Sequence, residues 1–246
     1  MIELTRSQLI FVSWLFLSGI SEPEFLVKAF LYISGLKLIT HKSPALDGAR
    51  WYRHSFLKAP FLITPDDMVV MADKCRFLLL PDEIKPLPWI RFARARHFRL
   101  YNATFEEYLM AENYYFAFCE TKDPLHLDNL ISVLYRRPWK RWKASKIQPR
   151  SRIFQTVDPA IKNSVFMWYI GFRSYVPKRC KSLFSGKKSG NAFSPRNYIN
   201  GMVHQLTNGD ITVKQTLLKQ PVWDALDELE QRAFDALQMT KNLTKK

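Results

Sequence analysis

Apolar residues recur at helical spacing behind four capping signatures. Thr5 with Gln8, Ser21 with Glu24, Thr64 with Asp67 and Thr104 with Glu107 each put a hydroxyl where it can accept from a first-turn amide, with a polar group three residues on that reaches back. Leu9, Val12 and Phe16 follow the first, Phe25, Phe30 and Ile33 the second, and Val69, Ala72 and Leu79 the third. That spacing predicts an amphipathic helix behind each. The fourth, Phe105 to about Thr121, carries Phe105, Tyr108, Leu109, Tyr115, Phe116 and Phe118 around more than half its circumference, so it must be buried on more than one side. Asp123 before Pro124 opens a fifth helix through Leu127, Leu130, Ile131 and Leu134, expected to pack antiparallel to the fourth.

Between the second and third helices, Leu36 to Thr40 and Trp51 to Ile63 are rich in β-branched and aromatic residues, which predicts a small hairpin. Pro81, Pro86 and Pro88 make an extended link leading into Trp89 to Arg96. Further on, Asp158-Pro159 caps a helix holding Val165, Phe166, Trp168, Tyr169 and Phe172, which Pro177 should end or kink. Ser185 to Ser194 reads as a loop and Asn208-Gly209-Asp210 as a turn, followed by a short helix over Ile211 to Lys219. The last helix starts near Pro221 with Val222, Leu226, Leu229, Ala233 and Leu237 on one stripe and Asp224, Asp227, Glu228, Gln231 and Asp235 on the other side. The expected fold class is therefore mainly α, an irregular multi-helix bundle with a small β-hairpin near 36–63. The proline link divides it into an N-terminal helical part over 1–80 and an aromatic-rich, basic part over 89–246, unless the two form one continuous domain.

Charge sharpens that division. Sixteen basic residues and one acidic residue lie between Asn129 and Gly209, and their net +15 equals that of the whole chain. A stretch of that kind is built to meet something negative: nucleic acid, an acidic protein or an anionic surface. Its strongest signal is Arg136, Arg137, Trp139, Lys140, Arg141, Trp142 and Lys143, continuing to Arg150 and Arg152, which reads as a loop or extended arm in which tryptophans alternate with cations. Cations neutralise phosphates and an interleaved ring stacks on a base. Equally, Trp139 and Trp142 could anchor on the core while the cations reach water. Arg91, Arg94, Arg96, His97 and Arg99 form a second cluster that either joins the first in one surface or pairs with Glu106, Glu107 and Glu112. The acidic face of the last helix either folds back on its own basic region or meets that of another copy.

No catalytic constellation emerges. Gly186-Lys187-Lys188-Ser189 resembles the end of a phosphate-binding loop, but Lys181 stands where its first glycine belongs. His41, His54, His97, His126 and His204 have no partner at ligand spacing, and there is no nucleophile elbow. We expect no cofactor, no metal and no enzyme activity. Cys75, Cys119 and Cys180 are odd in number and scattered, which argues against a disulfide framework. The apolar run Leu9 to Leu17 is too short to span a bilayer and no amphipathic helix carries the cations on one face. A cytoplasmic protein without membrane contact is expected.

Thr104-Phe105-Glu106-Glu107-Tyr108 with Ala111, then Thr121-Lys122-Asp123, Leu127, Leu130 and Leu134-Tyr135-Arg136, resembles a recurring run in small helical proteins of phage and prophage tail-gene clusters. Ile199 to Leu206, Gly209-Asp210-Ile211-Thr212 and the terminal helix are similar to the closing part of such proteins, so the resemblance covers about 104–237. It implies a tail-assembly chaperone or small virion component that works by protein–protein contacts. With the aromatic helix faces and the basic surface as the means of contact, the expected setting is cytoplasmic or virion-associated, and the acidic terminal helix offers a route to self-association. The alternative is a nucleic-acid-binding protein using the basic arm 136–152.

Overall fold

The caps set the frame of a mainly α-helical chain with two small antiparallel sheets. This computed structural model describes residues 4–40, 48–54, 57, 59–79, 84–140, 142–184, 201, 203–204, 206–207 and 210–243. The expected loop at Ser185 to Ser194, the glycine–lysine run within it, and Asn208 with Gly209 lie outside the described residues. Two compact units are distinguished, residues 1–85 with 158–171, and 86–157 with 172–246. The chain thus crosses between them three times, and Asp158–Gly171 clusters with the N-terminal part.

In the first unit, α1 (Arg6–Leu17) begins at the Thr5–Gln8 capping box, with Gln8 N–H donating to Thr5 Oγ1 at 3.3 Å and Thr5 N–H to Gln8 Oε1 at 2.9 Å. Ser21 stands at the N-cap of α2 (Glu22–Ser34), but its side chain makes no capping bond. Pro23 and two glutamates favour that start instead. Gly35, at φ 69°, supplies the left-handed residue that ends α2. The hairpin region is a three-stranded meander, β1 (Leu36–Leu38), β2 (Arg50–His54) and β3 (Phe61–Ile63), with Leu36 opposite His54 and Arg50 opposite Ile63. Thr64 then caps α3 (Pro65–Asp73).

The expected stripes are buried at Leu9, Val12, Phe25 and Ala72, with Phe30, Ile33 and Leu79 packed against the core, and shift by one position at Phe16 and Val69. Val12, Leu15, Phe25, Leu26, Ala29, Ala72, Cys75 and Leu78 form the core. Phe16 lies on the flank of α1, its ring against Phe25 at 4.4 Å. Thr64 and Pro65 fix the phase of α3 so that Met68 and Ala72 point inward, and Val69 is left 63% exposed. The α-helix stops at Asp73, which places Leu79 in a separate 3-10 turn (Arg76–Leu79). Asn163 Nδ2 donates to the Ser13 carbonyl at 3.0 Å, tying the inserted segment to α1.

Past the proline link the second unit opens with a hairpin, β4 (Trp89–Ile90) and β5 (Ala93–Ala95), turning at Arg91 with φ 54°. A third strand, β6 (Tyr135–Arg136), completes the sheet in the order β4-β5-β6. Thr104 and Glu107 form the capping box of α4 (Phe105–Thr121), and Lys122 ends it in the left-handed region. Asp123 caps α5 (Pro124–Leu134), its Oδ1 accepting from Leu125 N–H at 2.9 Å. α4 and α5 pack on each other, and α5 also packs on α6 (Ile147–Ser151), where Ser132 Oγ donates to the Ile147 carbonyl at 3.0 Å.

α7 (Pro159–Arg179) gives its first part to the first unit and Phe172–Arg179 to the second. The helix ends two residues past Pro177, at Arg179, and Cys180 N–H reaches the Val176 carbonyl at 2.8 Å. α8 (Ile211–Lys219) leads to α9 (Val222–Leu243). The starts of α4 and α9 are stitched together by Phe105 N–H to Gln220 O at 2.8 Å and Val222 N–H to Ala103 O at 3.0 Å. Trp223 seals that junction: its Nε1–H donates to Arg99 O at 2.7 Å, and its ring lies among Tyr101, Phe172 and Tyr175 under the Arg179 guanidinium.

Trp223→Ala is expected to destabilise the second unit by about 3–5 kcal/mol. Trp223→Phe, which keeps a ring but orphans the Arg99 carbonyl, should cost about 1–3 kcal/mol. Urea unfolding followed at the remaining tryptophans measures both, and equal costs would exclude a role for the indole N–H.

Candidate functional site

The sheet of the second unit sorts its residues into two rows. Residues directly opposite in an antiparallel pair project to one face, and the next pair to the other. Ile90 with Ala93, and Ala95 with Tyr135, make the inner row, in which Ile90, Ala93 and Tyr135 are buried. Trp89, Arg94 and Arg136 make the outer row, with Trp89 41% exposed, Arg94 exposed and Arg136 half-buried. Arg94 therefore faces Arg136 directly, a like-charge pair of the kind that destabilises a sheet.

The basic stretch 135–152 is not a free arm. It starts as a strand because Tyr135 is buried and its Oη donates to Leu87 O at 2.7 Å. It ends in a 3-10 turn (Ala144–Lys146) and α6 because Ile147 and Ser151 are buried. Between these anchors, Arg137-Pro138-Trp139-Lys140 closes a turn, with Lys140 N–H donating to Arg137 O at 3.2 Å. Proline suits the second position of such a turn. Trp139 is 94% exposed, so it does not anchor on the core. The Arg137 guanidinium stacks over the ring of Phe92, itself exposed, at 4.3 Å. Trp142 is half-buried, and its Nε1 is buried without a hydrogen-bond partner. Lys140, Lys143 and Arg152 are exposed. Arg141 lies outside the described residues. Arg150 points Nε and Nη2 at the carbonyls of Lys146 and Lys143, both at 2.9 Å.

The second cluster divides. Arg91, at the hairpin turn, donates to Thr156, and Arg94 joins the outer row. Arg96 leaves the surface: it is 4% exposed, donates to Asn102 O at 2.7 Å through Nη1, and ion-pairs through Nη2 with Glu107, itself 2% exposed. Burial, reinforced by Arg136 and Arg150, lowers the Arg96 guanidinium from its ordinary value to about 9. Burial likewise lowers Arg136, and burial with Arg136 lowers Arg150. Arg96 therefore stays protonated at neutral pH, and Arg96, Arg136 and Arg150 lie within electrostatic reach of one another. Burial raises the Glu106 carboxyl, with Lys219 opposing it.

Several cations of the second unit have partners that sequence spacing did not disclose. Arg173 ion-pairs with buried Glu112 at 2.8 Å and lies over the rings of Tyr115 and Phe116. Arg99 stacks over Tyr175 at 3.9 Å and donates to its hydroxyl at 2.9 Å. Arg179 ion-pairs with Asp227 at 2.7 Å. Glu230 accepts from the amides of Ser182 at 2.9 Å and Leu183 at 2.8 Å. The acidic terminal helix thus folds back on its own basic region at Asp227 and Glu230, while Asp224 and Asp235 remain exposed.

Among the described residues, no group of three His, Cys, Asp or Glu side chains could hold a metal ion, and no helix is long and apolar enough to cross a membrane. Cys75, Cys119 and Cys180 are free thiols. Compared with family models, curated proteins and solved structures, the chain matches none.

Glu230 generates a pH prediction. Burial pushes its carboxyl up, but the Leu183 and Ser182 amides together outweigh that and hold it below its ordinary value. A depressed carboxylate stabilises the fold above its unfolded pKa, and that contribution is lost as pH falls through the folded value. Glu230→Gln should therefore lower Tm at neutral pH, and the difference from the natural chain should vanish as the pH drops below the ordinary glutamate range. A difference constant across that range would contradict the capping role.

Proposed function

We propose that this chain is a non-catalytic assembly protein of the phage-tail or particle type, which grips another protein through the aromatic and basic turn of its second unit. The turn Arg137-Pro138-Trp139-Lys140 carries the reading. Trp139, 94% exposed, stands in one turn with Arg137, which lies over exposed Phe92, so that two aromatic rings and a cation are offered to a partner. Tryptophan and arginine are the residue types that dominate protein interfaces. Here proline and the closing hydrogen bond fix the turn, and Phe92 holds the Arg137 guanidinium, so little side-chain freedom remains to be lost on binding.

The resemblance to tail-cluster proteins supports the same reading from another side. The residues that carry it do structural work: Thr104 and Glu107 cap α4, Asp123 caps α5, Leu127 and Leu130 are buried, and Leu134-Tyr135-Arg136 turns α5 into β6. They specify a shape that presents the turn, with no chemistry attached. The partner is an acidic protein surface, matched to Arg137, Lys140 and Lys143. Nucleic-acid binding by the same stretch is the alternative and differs by steep salt dependence.

Co-purification with the other products of a tail-gene cluster tests the proposal. Trp139→Ala and Arg137→Glu should each weaken partner capture by roughly tenfold or more. Lys214→Glu, an exposed change on α8, should leave it intact. Capture unaffected by both turn variants would sink the proposal.

A further inference from the structure

Two guanidinium groups face each other in the outer row of the sheet, a third on α6 lies within electrostatic reach of one of them, and among the described residues no ion pair engages any of the three. Arg94 on β5 stands opposite Arg136 on β6. Arg150, on α6, is held by the carbonyls of Lys143 and Lys146, which fix its head group at the end of the segment leading from β6. Arg96, two residues past Arg94, has its charge met by Glu107, yet its Nε lies buried without a hydrogen-bond partner. Like charges directly opposite in a sheet destabilise it, and partly desolvated ones do so more. A fold that holds such a cluster in place, with two backbone carbonyls orienting one member, is arranged for an anion that offsets the repulsion.

We propose that Arg94, Arg136 and Arg150 form a phosphate site, and that its ligand is a phosphodiester of single-stranded nucleic acid whose neighbouring base stacks on Trp89. Three cations exceed what one carboxylate neutralises, whereas a phosphate offers several acceptor oxygens to planar guanidinium forks. Trp89 stands opposite Arg94 on the same face, two strand spacings or about 10 Å from Arg136. An exposed ring there reaches only an unpaired base, which favours a single strand over a duplex. This site is separate from the turn assigned to protein contact and does not rest on that assignment.

Fluorescence anisotropy of a labelled oligothymidylate across a salt series, with the full chain, tests it. Three phosphate contacts predict a log–log salt slope of about −2. Arg136→Gln should weaken binding about tenfold and flatten the slope by about 0.7, while the ligand-free variant melts no lower than the natural chain because a repulsion has been relieved. Arg94→Gln, at an exposed position, should behave in the same way. Trp89→Leu should weaken binding about fivefold or more with the slope unchanged. Partner capture is a separate readout and should survive all three. No binding at low salt, equal binding of a duplex, or Arg136→Gln and Arg94→Gln variants that are folded and bind normally would each overturn the proposal. Displacement of oligothymidylate by equimolar inorganic phosphate would overturn its nucleic-acid part.

Discussion

The buried ion pair between Arg96 and Glu107 is the contact on which the second unit depends. Glu107 Oε2 accepts from the Thr104 amide at 2.8 Å and so completes the capping box of α4, while Oε1 meets the Arg96 guanidinium. Arg96 itself sits at the end of the sheet ladder, its amide donating to Leu134 O at 2.9 Å, where α5 passes into β6. One carboxylate thereby joins the start of a helix to the exit of a strand. Cap and sheet cannot separate without leaving a buried charge unpaired, a change that costs several kcal/mol. The same corner carries Ala103 and Phe105, whose backbone groups hold the start of α9.

This arrangement also decides which charges reach the surface. Glu107, Glu112, Asp227 and Glu230 lie against Arg96, Arg173, Arg179 and the amides of Ser182 and Leu183. Four acidic side chains of the second unit are thus engaged internally, and the cations of the outer row and the following turn keep a positive face to solvent. The segregation visible along the chain is therefore partly dissolved by folding and partly concentrated. Arg96 and Arg173 become structural, while Arg94 and Arg136 share the outer row with Trp89, and Arg137 stacks on Phe92 in the turn that carries Trp139.

Local signals were legible in the sequence and distant ones were not. Thr5 with Gln8, Thr104 with Glu107, and Asp123 mark their helices because a cap is written in residues three apart. The β4–β5 hairpin escapes such reading: its strands are two and three residues long, and Arg91 takes the left-handed turn position that glycine or asparagine would have announced. β6 is hidden in the same way, at the end of a helical pattern. Pro138 signals a break but not its form, a turn closed between Arg137 and Lys140. Arg94 and Arg96 look alike in sequence, and only Glu107, eleven positions beyond Arg96, separates the exposed cation from the buried one.

A double-mutant cycle of Arg96→Met and Glu107→Met, read by urea unfolding, tests the central coupling most directly. Each single change should cost about 3–5 kcal/mol because it leaves a buried charge alone, and the double change should cost far less than the sum. Additive costs would show that the two side chains act independently, and the ion pair would no longer explain how the cap of α4 and the basic sheet are held together.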